Sequence, residues 1–302
     1  ATLRQVRLPA GMSRMDASRA LCAALCPAPR LPRQPVYGGN DWYYAYGSNS
    51  DQSVRRDAAA VREWAPPGDN PPWFVIDAGW FPAAGCDGGP YDTGNARFPD
   101  LPGLAAAMEA MEVRPGIWIR PLLTSAPEAA RWRLPDTHPH GRDRAHTLDP
   151  SIPEVLDLVR ADLRRLVGWG YRMVKHDFTT YDLTGRWGFG MGDAVTPDGW
   201  RFADSGRTTA EIVAGLYDAI REAAGDALLI GCNTIGHLGA GRFELQRTGD
   251  DTSGREWERT RKMGVNTLAF RMGQHGTFFA ADADCVGLTD DVPWHRNRQW
   301  LD

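Results

Sequence analysis

Two hydrophobic periods take turns along this chain. Residues 152–169 carry the plainest helical one: Val155, Leu158, Val159, Leu163 and Leu166 recur at spacings of three and four. Similar spacing predicts helices over 13–26, 51–64, 101–113, 208–224 and 255–274, with Thr208 as a cap. A last helix is expected to begin near Pro293. Between these segments, short apolar and β-branched runs predict seven strands, at 36–46, 73–80, 115–120, 171–178, 227–233, 242–247 and 277–282. Strands alternating with helices predict a parallel sheet with crossover helices.

Polar residues collect where these strands end: Asn40-Asp41-Trp42, then Asp77, Arg120, Asp177, Cys232, Asp251 and Asp282. In a barrel strand, apolar side chains fill the middle and polar groups at the C-terminal end face a pocket. An open doubly wound sheet would gather its site at one switch point instead. The fold class expected is therefore α/β, a (β/α)8 TIM-type barrel. Only seven strands can be counted, so the barrel is expected to stop before its eighth. Residues 1–35 read as an N-terminal helix with a proline-rich linker, and residues 36–302 as the catalytic barrel, incomplete at its C-terminus. An unpaired edge between the first and seventh strands favours association, which makes a homo-oligomer one expectation. The loop 82–95 is glycine-rich, and the long loop 179–207 is rich in Gly, Asp and Trp, a length that in a compact domain usually serves function.

Composition narrows the classes. A net charge of −4, with arginines scattered among acids, leaves no nucleic-acid footprint. No apolar run approaches the roughly 18–20 residues of a membrane span. No ordered leader is legible either, so the cytoplasm is the default expectation. Cys22, Cys26, Cys86, Cys232 and Cys285 do not read as a disulfide framework. His176, His237 and His275 are dispersed, and Asp282 with Asp284 lacks the spacing of a calcium loop. The glycines of Gly236–Gly241 do not match the dinucleotide fingerprint. Neither a metal nor a cofactor is expected. The absence of a Gly-x-Ser-x-Gly elbow argues against a serine hydrolase of that fold.

The chemistry centres on Lys175-His176-Asp177. The chain has two lysines, and one stands two residues before Asp177. Strand alternation sends Lys175 and Asp177 into the mouth and His176 behind it. Two carboxylates across a barrel mouth suit glycosidic cleavage, one attacking or activating water and the other protonating the leaving oxygen. Asp177 and Asp251 are the candidate pair, with Lys175 keeping Asp177 ionised. The acid needs a raised pKa, from burial or from a neighbouring carboxylate such as Asp250. A lone Asp at a strand end is more often a loop or cap residue. Asp177 outweighs that reading because several strand ends agree and because Trp42, Trp80, Trp118 and Trp187 fall near the same mouth, where sugars stack. Trp64, Trp73 and Trp169 read as core.

The ordered set of motifs resembles the retaining α-galactosidases (melibiases) of glycoside hydrolase families 36 and 27. The matching pieces are Gly39-Asn-Asp-Trp42, Ile76-Asp-Ala-Gly-Trp80, Gly116-Ile-Trp118, Lys175-His-Asp177, Cys232 with Gly239-Ala-Gly-Arg-Phe243, Arg247-Thr-Gly-Asp-Asp251 and Ala281-Asp-Ala-Asp284. They span roughly residues 36–290, and their order carries more than any single piece. The resemblance implies a (β/α)8 barrel with Asp177 as nucleophile and an acid/base in the Arg-x-x-x-Asp motif at Asp251. The family's Trp-Thr-Ser-Asp variant would choose Asp250 instead. It also implies a sugar subsite at Trp42, Asp77, Lys175, Cys232 and Arg247, a carbohydrate substrate, and neither cofactor nor metal. Where the family carries two adjacent aspartates, this chain has Asp77 and Ala78, which should weaken its grip on galactose and admit another glycone. The expected function is a retaining hydrolase of α-linked glycosides. A non-catalytic carbohydrate-binding barrel is the rival from another class.

Overall fold

The computed structural model describes residues 7–83, 88–191, 199–253 and 257–284. Seven parallel strands form one curled sheet: β1 (Gly38–Asn40), β2 (Trp73–Ile76), β3 (Arg114–Ile119), β6 (Met173–His176), β7 (Leu228–Gly231), β8 (Leu245–Arg247) and β9 (Ala280–Asp282), adjacent in that order. A separate antiparallel pair, β4 (Leu123–Thr124) and β5 (His146–Thr147), lies in the chain between β3 and β6. Parallel neighbours in chain order are the winding of a (β/α)8 barrel. Among the described residues no strand joins β9 to β1, so the sheet is a curled half-barrel. The helix expected near Pro293 lies outside the described residues, as do Cys86 and Cys285.

The helices form where the spacing places them, and their ends explain why. Ser50 and Ser53 cap each other at the start of α3 (Asp51–Trp64), and Thr208 and Glu211 do the same for α7 (Thr209–Ala224). Pro153 opens α5 (Pro153–Gly168), whose buried face is Val155, Val159, Leu163 and Leu166. The N-terminal helix α1 (Arg14–Leu25) and α4 (Leu101–Ala110) also fall within their expected ranges.

Alternation along the strands divides the core into two layers. Phe74, Ile76, Ile117, Ile119, Val174 and Leu229 belong to the main cluster, which they share with α3, α4, α5 and α7. Trp73, Val75, Met173, Ile230 and Leu245 form a second cluster on the inner face. Lys175 and Arg247 stand two residues after Met173 and Leu245, on that same face. The inner face thus passes from apolar to charged towards the C-terminal end of the strands. His176 points the other way, fully buried against Tyr217 and Phe243, and burial pushes its imidazole down to about 3.

Some expectations are corrected. The first strand ends at Asn40, because the Asn40 carboxamide accepts the Trp42 N–H at 2.8 Å and turns the chain into a short helix, α2 (Trp42–Ala45). Residues 121–150, for which the periodicities predict no element, hold the β4–β5 pair. Another short helix, α6 (Thr179–Thr184), follows the Asp177 strand directly. The last helical stretch contains a π-helical segment over Thr260–Asn266. Trp64 is not core: it is 81% exposed at the end of α3.

Glu244 ties the foot of the sheet together. It is 4% exposed and accepts from Arg30 Nε at 2.8 Å, Arg221 Nη1 at 3.0 Å and the Leu229 N–H at 2.9 Å. Glu244→Ala strands the largely enclosed Arg221 charge, 13% exposed, and should lower unfolding free energy by about 3 kcal/mol in a urea titration. A loss of only a few tenths would show that solvent replaces the carboxylate.

Candidate active site

Asp177 follows β6 and is held from both sides. The Trp118 indole Nε1 donates to Oδ2 at 3.0 Å, and the Phe178 N–H donates to Oδ1 at 2.6 Å. Its own N–H continues the sheet by donating to the Ile119 carbonyl at 2.9 Å. Burial pushes the Asp177 carboxyl up. The Lys175 charge and the Trp118 N–H pull it back, but the net position stays above the ordinary value.

One wall of the mouth is built on Asp77. Its Oδ2 takes Lys175 Nζ at 2.6 Å and Asn40 Nδ2 at 2.7 Å. Burial alone would discharge the Lys175 ammonium, but Asp77 overrides it and holds the lysine well above its usual range. Behind this pair sits Asp41, fully enclosed, which accepts the Asp77 N–H at 2.8 Å and Asn49 Nδ2 at 2.9 Å. Burial, reinforced by the Asp77 charge, pushes Asp41 up to about 7.

The opposite wall is built on Arg247. Its Nη2 lies 2.9 Å from both Asp251 Oδ1 and Asp284 Oδ2, and its Nη1 lies 3.7 Å from Cys232 Sγ. Asp284 also accepts from Tyr43 and from the Thr252 N–H and hydroxyl. The sequence set Asp284 in the motif Ala281-Asp-Ala-Asp284 and in a doubtful metal doublet, without naming it as a site residue. Among the described residues, no three His, Cys, Asp or Glu side chains cluster to hold a metal ion.

The two carboxylates after β8 differ in access. The Asp250 side chain is 3% exposed, paired with Arg259 and bonded to the Asp251 N–H, while Asp251 keeps 31% of its side chain open. Gly188 closes over Asp250: its φ is +53°, and a β-carbon there would fall 2.4 Å from Oδ2. Asp251 is therefore the one a substrate can reach. Its expected raised pKa is contradicted, however. Burial pushes the carboxyl up, but Arg247 overrides it through charge and hydrogen bond, with help from Lys175 and Arg259, and Asp251 ends below the ordinary value.

The tryptophans divide. Trp42 is half-buried and lines a cavity of about 510 Å³ with Asn40, Tyr43, Lys175, Arg247 and Asp284. Trp80, expected at the mouth, is 0% exposed: its Nε1 donates to the Trp118 carbonyl at 2.9 Å, and Phe81, Tyr91 and Trp169 surround it. It offers no face to a sugar. Trp118 is also enclosed, stacked on Phe81 at 5.8 Å, and reaches the site only through its N–H. Trp187 lines a different cavity of about 250 Å³, with Asn233 and Thr180.

No protein-family model and no curated protein sequence matches the chain. Solved structures do. The α-galactosidase TtGalA of Thermus thermophilus, in complex with stachyose, aligns over 95% of this chain and 62% of its own, with a TM-score of 0.70 and 21% identity. The same enzyme in complex with p-nitrophenyl α-D-galactopyranoside aligns over 90% of this chain and 55% of its own, with a TM-score of 0.67. The GH36 α-galactosidase AgaA of Geobacillus stearothermophilus aligns over 82% and 33%, with a TM-score of 0.55 and 17% identity. This chain spans less than two thirds of the length of each. At such identity the likeness is one of fold, and this chain shares the barrel fold of those enzymes.

The raised pKa of Asp41 has a consequence for stability. Its proton is held more tightly in the folded than in the unfolded chain, so the associated stability is full below pH ~4 and fades as pH rises through about 7. Asp41→Asn, which fixes the neutral state, should gain up to about 4 kcal/mol relative to the parent between pH 4 and pH 8. Urea titrations at the two pH values measure the difference, and a constant offset would rule out ionisation of a buried Asp41.

Proposed function

We propose that this chain is a retaining glycoside hydrolase acting on α-linked glycosides by double displacement. The observation that carries the reading is Asp177, with each carboxylate oxygen fixed by one N–H and its charge coupled to Asp251. The fold shared with α-galactosidases, one of them seen with stachyose and with p-nitrophenyl α-D-galactopyranoside, supports a carbohydrate as substrate.

Asp177 attacks the anomeric carbon as the bond to the leaving oxygen breaks, giving a covalent glycosyl-enzyme. Asp251 donates its proton to that oxygen, then takes one from the incoming water, whose oxygen displaces Asp177. Lys175, Asp77, Cys232, Arg247 and Trp42 hold the sugar. For Asp251 to carry a proton, its tie to Arg247 must loosen. A sugar hydroxyl that takes the Arg247 N–H does this and raises the carboxyl towards the range an acid requires. Ala78 leaves one hydroxyl contact unmade, so the glycone is N-acetylated, a pentose or gluco-configured before it is plain galactose. The low-lying Asp251 favours one rival, a carbohydrate-binding barrel without turnover.

Hydrolysis of aryl α- and β-glycosides of galactose, N-acetylgalactosamine, arabinopyranose and glucose tests the reading. One α-glycoside should be cleaved, with turnover abolished in Asp177→Asn. Silence across the panel, with sugars still bound in calorimetry, would favour the rival. Asp251→Ala should lose roughly 10²–10⁴-fold on substrates with poor leaving groups and far less in the first step on activated ones. Equal loss across leaving groups would remove Asp251 from the acid's role.

A further inference from the structure

Phe178, next to Asp177, holds a backbone φ of +67°, a left-handed conformation that a bulky aromatic residue rarely adopts. That conformation accompanies the 2.6 Å hydrogen bond from its N–H to Asp177 Oδ1. Strain of this kind persists only where the surroundings over-determine it. Here the surroundings are specific. The Arg120 guanidinium lies 4.3 Å from the centroid of the Phe178 ring and 5.6 Å from that of Tyr181. Arg120 is in turn gripped by Asp182, with Nε 3.1 Å from Oδ1 and 3.2 Å from Oδ2, and Nη2 bonded to Oδ1 as well. The Asp182 N–H donates to the Phe178 carbonyl at 2.8 Å, so the same residue holds the backbone of Phe178 and the cation on its ring. Both members of the pair are buried, and the Arg120 N–H donates to the Tyr91 hydroxyl at 3.0 Å.

We propose that Arg120 and Asp182 are a positioning pair: together they clamp Phe178 in its left-handed conformation and thereby aim the Asp177 carboxylate. The inference rests on the reading of Asp177 as nucleophile. A plain structural ion pair is the competing account, and two features separate them. Arginine, unlike lysine, lays a planar cation over a ring while its edge grips a carboxylate. The contact falls on the residue whose backbone bonds the reacting group.

Removing Arg120 alone strands a buried carboxylate and endangers folding, so the test replaces both charges, Arg120→Met with Asp182→Asn. On the cleaved aryl glycoside, kcat should fall about 10²-fold, the effect of misplacing a reacting group by an ångström, with KM held within about threefold. Arg120→Lys should not restore kcat. Glycine takes a positive φ without strain, so Phe178→Gly makes the clamp dispensable. In that background the same paired replacement should cost less than about threefold. An undiminished loss there, or a rise in KM at constant kcat, would overturn the proposal. A crystal structure of the paired variant supplies a readout independent of turnover. Residue 178 should leave the left-handed region, and persistence near +67° with the bond to Asp177 intact would overturn the clamp. Should Asp177→Asn retain turnover, the nucleophile reading falls by itself, and the crystallographic result still decides whether the pair holds Phe178.

Discussion

A lysine and an aspartate withdrawn from water together, Lys175 and Asp77, set the electrostatics of the mouth. Each ion would carry several kcal/mol of desolvation if buried alone, and each offsets that cost for the other. The pair needs β2 and β6 to present inner-face residues at matching height, although β3 lies between them. Register therefore fixes the site: a one-residue slip of β6 would send Lys175 towards the helices and bring His176 inside. Asp177, two residues further on, inherits both its direction and part of its ionisation from this arrangement.

A second charged cluster faces the first. Arg247 sets one nitrogen between Asp251 and Asp284, at 2.9 Å from each. The two clusters work against each other electrostatically. Lys175 favours an ionised Asp177, while Arg247 favours an ionised Asp251, although glycosidic cleavage requires the second carboxyl to hold a proton. On the proposed function, a bound sugar is the group that would redistribute these hydrogen bonds.

Much of this was legible in the chain because two periodicities are strong. The period of two at Met173-Val-Lys175-His-Asp177 separates an inner from an outer face, and the sheet follows it. Helical spacing was equally reliable for α5, opened by Pro153, and for α7, opened by its Thr208–Glu211 capping box. Legibility failed where no period applies. Trp80 lies beyond the end of β2, so nothing in its spacing revealed that Phe81, Tyr91 and Trp169 would enclose it. β4 and β5 have two residues each, too few to show alternation. The ionisation of Asp251 was missed although Arg247 stands four residues earlier, because that spacing has a fixed geometry only on a helix, and here a loop intervenes. Asp284 stood in the motif Ala281-Asp-Ala-Asp284, but its place at the site depends on Tyr43, some 240 residues earlier in the sequence, and no spacing reveals that contact.

That contact between Tyr43 and Asp284 joins the segment after β1 to the segment after β9, the two sheet edges that no described strand connects. Thr252, from the loop after β8, bonds both partners through its N–H. Around the rest of the circumference, backbone hydrogen bonds carry hoop tension. Across this seam the described residues place side-chain bonds instead, Tyr43 with Asp284 at the rim and Arg30 with Glu244 at the foot. At the rim the two sheet edges are joined by a phenol and a carboxylate, so side-chain chemistry, and not strand pairing, bears on the width of the mouth at that point.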